Sequence, residues 1–590
     1  MARNRRDLMG VALIAGWSAW TSACTGDDGS ASSTSGATAS TSAAGTTTAA
    51  SDGTGTESTG STATSATSNN SNTSSSTATS GDTGDTDTGG DPPPATCDHP
   101  LDLAPVDAPD HVVGDGTPAS CSAQALADAG AQGGTIVFAC GDAPHTITLP
   151  QALPITEDTV LDGGGSVTLA GGGSDRLLVM DTGNFEATSP HLTVQRLTLR
   201  GGRASGTPIP LGTDVDGGGG AIFFRGGSVA AIDARFIDNK CAAEGPDVGG
   251  GAIYGIGAGE LIVVGSTFTG NEGANGGAIG ILGAALTVVD SLLEGNRATG
   301  FGANYVEGGM QMGRGGNGGA IVMDGQGRDL SLCGAVLREN SSGAFGGAIF
   351  RTSYESEPTT IDRTLIEANE ARDRMDDLPS GAGALYLQGS TVTITASTIA
   401  QNRARSSAGV WILGHGQAPA VADLTNVTIT GNATWPRDPF TDRGIGAGLT
   451  IGDNTTGTIL NCTIAGNDAQ FASGIARATP LTIRNTIISN LADNQYTPLN
   501  CTGSSYATPP GSGDHDLQWP TGLKDDMDCV AGITRQDPLL APLADNGGPT
   551  PTLLPMPGSP ALAAGSGCPP TDQRGQPRAD PCTLGAVEVP

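Results

Sequence analysis

The sequence predicts an all-β fold, a parallel β-helix in which short strands wind into a solenoid, and three observations carry that prediction. The first is composition: 92 glycines, 15% charged and 4% aromatic residues among 590 describe a repetitive chain, not an ordinary globular enzyme. The second is a repeat. Nine segments end in Asn, at Asn239, Asn271, Asn296, Asn340, Asn369, Asn402, Asn432, Asn467 and Asn490, with steps of 32, 25, 44, 29, 33, 30, 35 and 23 residues, so a constant core pattern carries loops of unequal length. The third is a two-residue period inside each segment. A large apolar residue stands three before each Asn (Phe236, Phe268, Leu293, Leu337, Ile366, Ile399, Ile429, Ile464, Ile487), and a small one usually stands five before it (Ala234, Ser266, Ser291, Ala335, Ser397). Positions two apart share one side of a strand, here the inside.

No such segment buries its apolar side alone. Stacking equivalent positions at about 4.8 Å per coil makes one continuous core and pairs each backbone group with the coils above and below. Asn tolerates the left-handed backbone of a tight turn, and stacked amides bond to one another, so the terminal Asn marks one corner. Gly-Gly before Ala-Ile marks a second corner, at Gly219-Gly220, Gly250-Gly251, Gly276-Gly277, Gly318-Gly319 and Gly346-Gly347, fading to Gly383, Gly409 and Gly448. There a positive φ or a close approach of successive coils excludes a β-carbon. The glycine pairs are thus geometric; a phosphate loop would need "GxxxxGK[ST]" and a following helix, and neither is present.

The remaining elements follow in chain order. Residues 1–24, with Arg3, Arg5 and Arg6 ahead of a short apolar run, read as an export signal too short to remain as a membrane-spanning helix. "TSAC" resembles the lipobox of bacterial lipoproteins, which implies a lipidated Cys24; Thr21 departs from the usual Leu. Residues 25–96 are almost wholly Ser, Thr, Gly, Ala and Asp, and from 29 to 80 only Asp52 and Glu57 carry charge. Such a stretch cannot offset its ordering entropy and is expected to be a disordered tether, about 45 Å in mean span. Asp82, Asp85 and Asp87 in "GDTGDTDTGGD" are read as solvated linker carboxylates rather than a calcium cage. The β-helix is assigned to 97–500 and a C-terminal segment to 501–590.

The alternation of "GGA[I/L]" with "FxxN"-like corners over 219–490 resembles that of polymorphic outer-membrane proteins and other bacterial right-handed β-helix surface proteins. That resemblance implies a right-handed coil. The stretch 121–165 resembles the first coils of that group, with a short capping helix near Ala123 to Ala129. The end is similar to the choice-of-anchor Q segment of secreted bacterial proteins, through "DPLLAPLADNGGPTPTLLPMPGSPALAAGSG" (537–567), "TDQRGQPR" (571–578) and "LGAVE" (584–588). Families with that segment attach to cells in different ways; here the anchor would be Cys24, placing the protein at an outer membrane or cell surface.

Ten further cysteines in an exported chain favour disulfides. Local pairs are expected between Cys121 and Cys140, Cys501 and Cys529, and Cys568 and Cys582, each stapling a terminal or irregular segment. Cys462 sits at a small inward position and reads as a buried thiol, while Cys97, Cys241 and Cys333 are unassigned. No zinc spacing occurs, and the sequence implies no cofactor or metal.

Many β-helices degrade polysaccharides, so catalysis needs its own test. "GHG" at 414–416 is shared with pectin-degrading hydrolases, yet their "NTD", paired "DD" and "RIK" do not accompany it in order, and His415 reads as a loop histidine without partners. Asp214, Asp216, Asp290, Asp324 and Asp362 are scattered among turns rather than laddered for calcium. Neither "GxSxG" nor "HExxH" is present.

The functional signal lies in loops inserted between the Asn and Gly corners after Asn239, Asn296, Asn369 and Asn432. Leaving the repeat at one point, they should form one edge. They carry Tyr305, Arg314, Arg372, Arg374, Trp435, Arg437, Asp438 and Phe440, together with Met310, Met312 and Arg443, in a chain poor in aromatics. Aromatic and Arg side chains together suit a glycan or protein contact face; packing of these loops on one another or on the sheet is the competing reading. A formal charge of −32 argues against nucleic acid. The expectation is a lipid-anchored surface protein that binds glycan or protein passively, with a polysaccharide lyase or glycoside hydrolase, and a purely structural coat, as alternatives.

Overall fold

Three strands and three turns make each coil. The computed structural model describes residues 90–589, except 95, 174, 205–216, 258, 326–327, 373–377, 379, 436–443, 478–479, 492–498, 504–510 and 521–525. The signal, most of the tether and Cys24 therefore lie outside the described residues, as do Arg374, Arg437, Asp438 and Phe440. In the coil that ends at Asn271, Ile253–Ile256 forms the first face, Glu260–Val264 the second and Thr267–Thr269 the third. Stacked strands of the first face make a 12-stranded sheet. The second and third faces form one 26-stranded sheet, because Thr159–Gly171 and His191–Arg200 run through both. The result is a right-handed parallel β-helix, the hand that parallel-strand crossovers take.

The inward column is a register fact. Leu199, Phe236, Phe268, Leu293, Leu337, Ile366, Ile399, Ile429 and Ile464 pair in succession and are fully buried. Phe236 and Phe268 stack with ring centroids 4.4 Å apart and 6° between planes, close to the coil spacing. The small column beside it is wired as well: Ser266 Oγ accepts from Ala234 N at 3.0 Å and Ser291 Oγ from Ser266 N at 3.1 Å. The ninth copy departs from the expected pattern. Ile464 pairs with Ile488, not Ile487. One residue fewer separates that strand from Asn490, so Ile487 turns outward, where it packs with Leu517, Ala561 and Leu584 under the C-terminal segment.

The Asn corner also differs from expectation. The left-handed backbone falls on the residue before the Asn, at Asp238 (φ 53°), Glu339 (56°), Ala368 (54°) and Gln401 (57°), with glycine there in four other coils, at Gly270, Gly295, Gly431 and Gly466. This turns the Asn inward, where its amide is buried. Both the backbone N and Nδ2 of Asn340 donate to Asn369 Oδ1, at 3.0 and 2.9 Å, and Nδ2 also reaches Leu293 O at 2.9 Å. The pattern repeats from Asn239 onward and ends on Asn500, a tenth amide that the repeat pattern did not include. At the other corner the two glycines have separate reasons. Gly346 takes φ 69°, and a β-carbon on Gly347 would stand 1.9 Å from Gly383 O.

The ends are closed by local chemistry. Helix Ala123–Gly130 is N-capped by Ser122, whose side chain accepts from Ala125 N at 3.2 Å, and its buried Leu126 seals the first coil. The stack runs on past residue 500, through Cys501–Thr502, Gly511–Asp514, Leu517–Trp519 and Thr534–Arg535, so coils extend into the segment assigned to 501–590. From 537 the chain turns back along the third face. There Gln573 bridges Thr398 and Thr428 at 2.8 and 2.6 Å, and Ala586 N donates to Thr463 Oγ1 at 3.0 Å. Arg578, its side chain 1% exposed, reaches Asn426 Oδ1 at 2.7 Å.

A second strap runs along the bend between the second and third faces. Asp290 accepts from Thr96 N at 2.9 Å and Cys97 N at 3.2 Å and meets His99 Nε2 at 3.1 Å, while Arg363 donates to Thr96 O at 2.7 Å. A Cys97–Cys333 disulfide fixes it, joining two cysteines the sequence left unassigned. The other bridges are Cys121–Cys140, Cys501–Cys529 and Cys568–Cys582. Cys241 and Cys462 are buried thiols, each pushed up to about 12 by burial. Among the described residues no helix is long and apolar enough to cross a membrane.

Candidate functional site

The corner between the third and first faces carries a short parallel ladder of its own, made from Glu272–Gly273, Arg297–Ala298, Ser341–Ser342, Glu370–Ala371, Arg403–Ala404 and Ala433–Thr434. Each piece follows the Asn directly. The buried amide ladder therefore sets the height of every side chain outside it.

Two rows leave this ladder. Glu370, Arg403 and Ala433 are in register in the first. The second lies two residues further on, where Arg372 N donates to Ser342 O at 2.7 Å and Trp435 N to Ala404 O at 2.8 Å, with Arg405 on the coil between. Coils repeat at about 4.8 Å, so Arg372 and Trp435 stand about 10 Å apart on one row. Arg403 lies over the Trp435 ring, its guanidinium carbon 5.7 Å from the ring centroid. Arg372 Nε binds Glu370 Oε2 at 2.9 Å and the Arg372 side chain stays 55% exposed, a pairing too solvated to immobilise it. Between Glu370 and Arg403 a depression of about 350 Å³ opens, lined also by Ala368, Asn369, Gln401 and Gly431. Arg372, Arg403 and Trp435 thus gather beside Glu370 in a protein of net charge −32.

The structure thus brings Arg372 and Trp435 together and adds Arg403 and Glu370, which sequence reasoning missed. Their signal was available: both stand one residue after a repeat Asn, a position that must face out once the Asn faces in. Tyr305 and Arg314 belong elsewhere, in a loop whose antiparallel hairpin Val306–Glu307 and Met310–Gln311 projects with Met310 67% exposed. Both are half-buried. Part of the loop set also folds onto the first face, as the competing reading expected. Phe345 and Ala303 cover an outward aromatic column in which Phe350 and Tyr386 stack at 5.1 Å and Tyr386 meets Trp411 edge-on at 5.3 Å.

Among the described residues no group of three or more His, Cys, Asp or Glu side chains is placed to hold a metal ion. A family model described as a right-handed β-helix region matches residues 352–507, the coils that carry this edge. No curated protein sequence matches the chain. Among solved structures, the chain is similar to tailspike protein 3 of bacteriophage CBA120, with 10% identity and a TM-score of 0.39, over 70% of this chain and 56% of the tailspike. It spans little more than half of the tailspike's length. It is also similar to the A-module of the Azotobacter vinelandii mannuronan C-5 epimerase AlgE4, with 15% identity and a TM-score of 0.26, over 72% of this chain and 97% of that module.

Proposed function

We propose that the protein is an exported, lipid-anchored surface β-helix that binds a glycan at its loop edge. One observation carries the reading: an exposed Arg403 set on the Trp435 ring beside an open depression, with Arg372 two coils away. A sugar ring stacks on the indole while Arg403 and Arg372 donate to its hydroxyl or carboxylate oxygens. The repeat supports passive binding, since the stacked coils hold these groups at fixed spacing. Support for the anchor is the sequence alone, through the basic start and "TSAC" of residues 1–24 and the C-terminal segment similar to choice-of-anchor Q.

Glycan-array binding of the purified protein tests the site. A specific signal should be lost in Trp435→Ala and Arg403→Ala variants that melt like the parent. A signal untouched by both removes the loop edge as the binding surface, and a signal seen only with host proteins replaces the glycan by a protein partner. The anchor is tested separately by palmitate labelling in a Gram-negative host. Labelling should require Cys24, and a Cys24→Ser variant that still labels defeats it.

A further inference from the structure

Arg351 breaks the rule that governs the interior. On the first face it pairs in register with Met323 and Leu387, in the inward column that continues as Ile281 and Ile412, and it is 1% exposed. A charge at such a position persists only if it is held from all sides. Its Nε donates to Ser390 Oγ at 3.0 Å, Nη2 to Arg328 O at 2.6 Å, and Nη1 lies 2.8 Å from Met323 Sδ. Glu357, Asp329 and Asp324 supply opposite charge. Glu357 is itself buried, accepting from the Ser353 hydroxyl and from Glu355 N.

This polar nucleus fixes the turn from the first to the second face, and a second group of side chains gathers there. Gln388 is 1% exposed and His415 7%, and Gln388 Oε1 and His415 Nδ1 have no hydrogen-bond partner among the described residues. The His415 ring meets Tyr354 edge-on at 4.9 Å, and the Tyr354 hydroxyl donates to Asp324. Gly389 packs against His415 with φ 68°; a β-carbon there would stand 2.9 Å from His415 Cβ and 2.2 Å from Ser353 O, so only glycine fits. Asp324 and Tyr354, half-buried, are the members that solvent reaches. His415 stays a turn histidine whose Nδ1 lacks a partner, as the sequence reading expects, but it is buried rather than open. Gln388 Oε1 and His415 Nδ1 are two buried groups without partners gathered at one turn beside a buried arginine, and such unsatisfied groups call for a partner that a ligand can supply.

We propose that this turn is a second ligand site, taking a neutral sugar whose hydroxyls donate to His415 Nδ1 and Gln388 Oε1 while its ring packs on Tyr354. Gln388 Oε1 accepts, and neutral His415 accepts at Nδ1 in its Nε2–H tautomer, so hydroxyl groups suit both. Asp324 lines the site and Asp329 lies near Arg351, so a uronate or sulfate is repelled. Burial lowers the His415 pKa and so favours the neutral imidazole, and it pushes Asp324 up to about 6. The site is separate from the loop edge, on the opposite margin of the first face.

Calorimetric titration of the full chain with cello-, xylo-, manno- and chito-oligosaccharides, with oligogalacturonate as the anionic control, tests it. One neutral series is expected to bind, measured in the Trp435→Ala background so that the loop edge contributes nothing, with affinity reduced at least tenfold on adding His415→Ala or Gln388→Leu and partly restored by His415→Gln. Gln388→Leu should melt no lower than the parent, because it removes an orphan. Should the variants fail to fold, the His415 ring resonances of the unmutated protein must shift on adding that sugar. No neutral binding, binding indifferent to both variants, unshifted resonances, or tighter His415-dependent binding of oligogalacturonate overturns the proposal. Loss with Trp435→Ala alone assigns the signal to the loop edge and equally overturns it.

Discussion

Along one margin of the first face, Arg372, Arg403 and Trp435 stand at least partly in solvent on a ladder that ends at the loops; along the other, Arg351, Gln388 and His415 are buried within the turn. Both margins ride on the same stacked coils and differ in what lies beneath. Under the loop margin is the Asn ladder, in which each of the repeat amides spends its Oδ1 on the coil before it. That margin is therefore stable without its outer side chains. Beneath the turn margin the polar groups themselves are the filling, so stability and recognition are not separable there. The comparison teaches that a solenoid can leave one edge free to vary while the opposite edge is constrained by packing.

The largest expected effect breaks the support of the loop margin. Asn369→Ala removes the acceptor of Asn340 N and Nδ2 and one donor to Leu337 O, and should lower unfolding free energy by about 3 kcal/mol, read by urea denaturation. Arg351→Leu ranks close behind at about 2 kcal/mol, because Glu357 is left buried without its cation; adding Glu357→Gln should recover part of the loss. If Arg351→Leu alone is neutral, the turn margin is no more constrained than the loop margin.

Acidity sharpens the comparison next. Burial raises Asp516 to about 8 and Asp324 to about 6 from an ordinary 3.8. Folded-state values above unfolded ones mean stability that is complete below pH 3.8 and is lost as pH rises through about 6 for Asp324 and about 8 for Asp516. The thermal midpoint should therefore rise on going from pH 8.5 to pH 5, and Asp516→Asn should flatten the upper part of that rise. Calorimetric melts of both proteins decide it. The smallest effect belongs to the loop margin: Trp435→Ala and Arg403→Ala should shift stability by no more than about 0.5 kcal/mol. The strap adds a local test. Cys97→Ser with Cys333→Ser should speed amide exchange over residues 96–104 while the inward columns stay protected.

Much of this was legible in the repeat. A residue's distance from the Asn told which side it faced, because a strand alternates and coils stack in register, and this placed Phe236, Phe268 and the residues that continue their column. It failed at Ile487, where a one-residue deletion reverses the facing, and only the pairing with Ile464 reveals it. Arg372 and Trp435 were legible as exposed loop residues, but Arg403 and Glu370 were not, since their exposure follows from an Asn pointing in. Arg351 and His415 were illegible for a different reason. Ser390 reaches Arg351 and Tyr354 reaches His415 from other coils, at sequence distances set by loop length rather than by the repeat.

By itself the sequence determined the solenoid, because a short period of apolar, small and Asn positions has one way to bury every copy. Tertiary structure alone decided where the two ends of the described chain lie: one strap is pinned by Asp290 and Cys333 and the other by Thr398, Thr428 and Thr463. It also decided which outward polar groups meet across coils. The reason is physical: register within a coil is local, whereas neighbours between coils depend on how many residues each loop spends before returning to the stack.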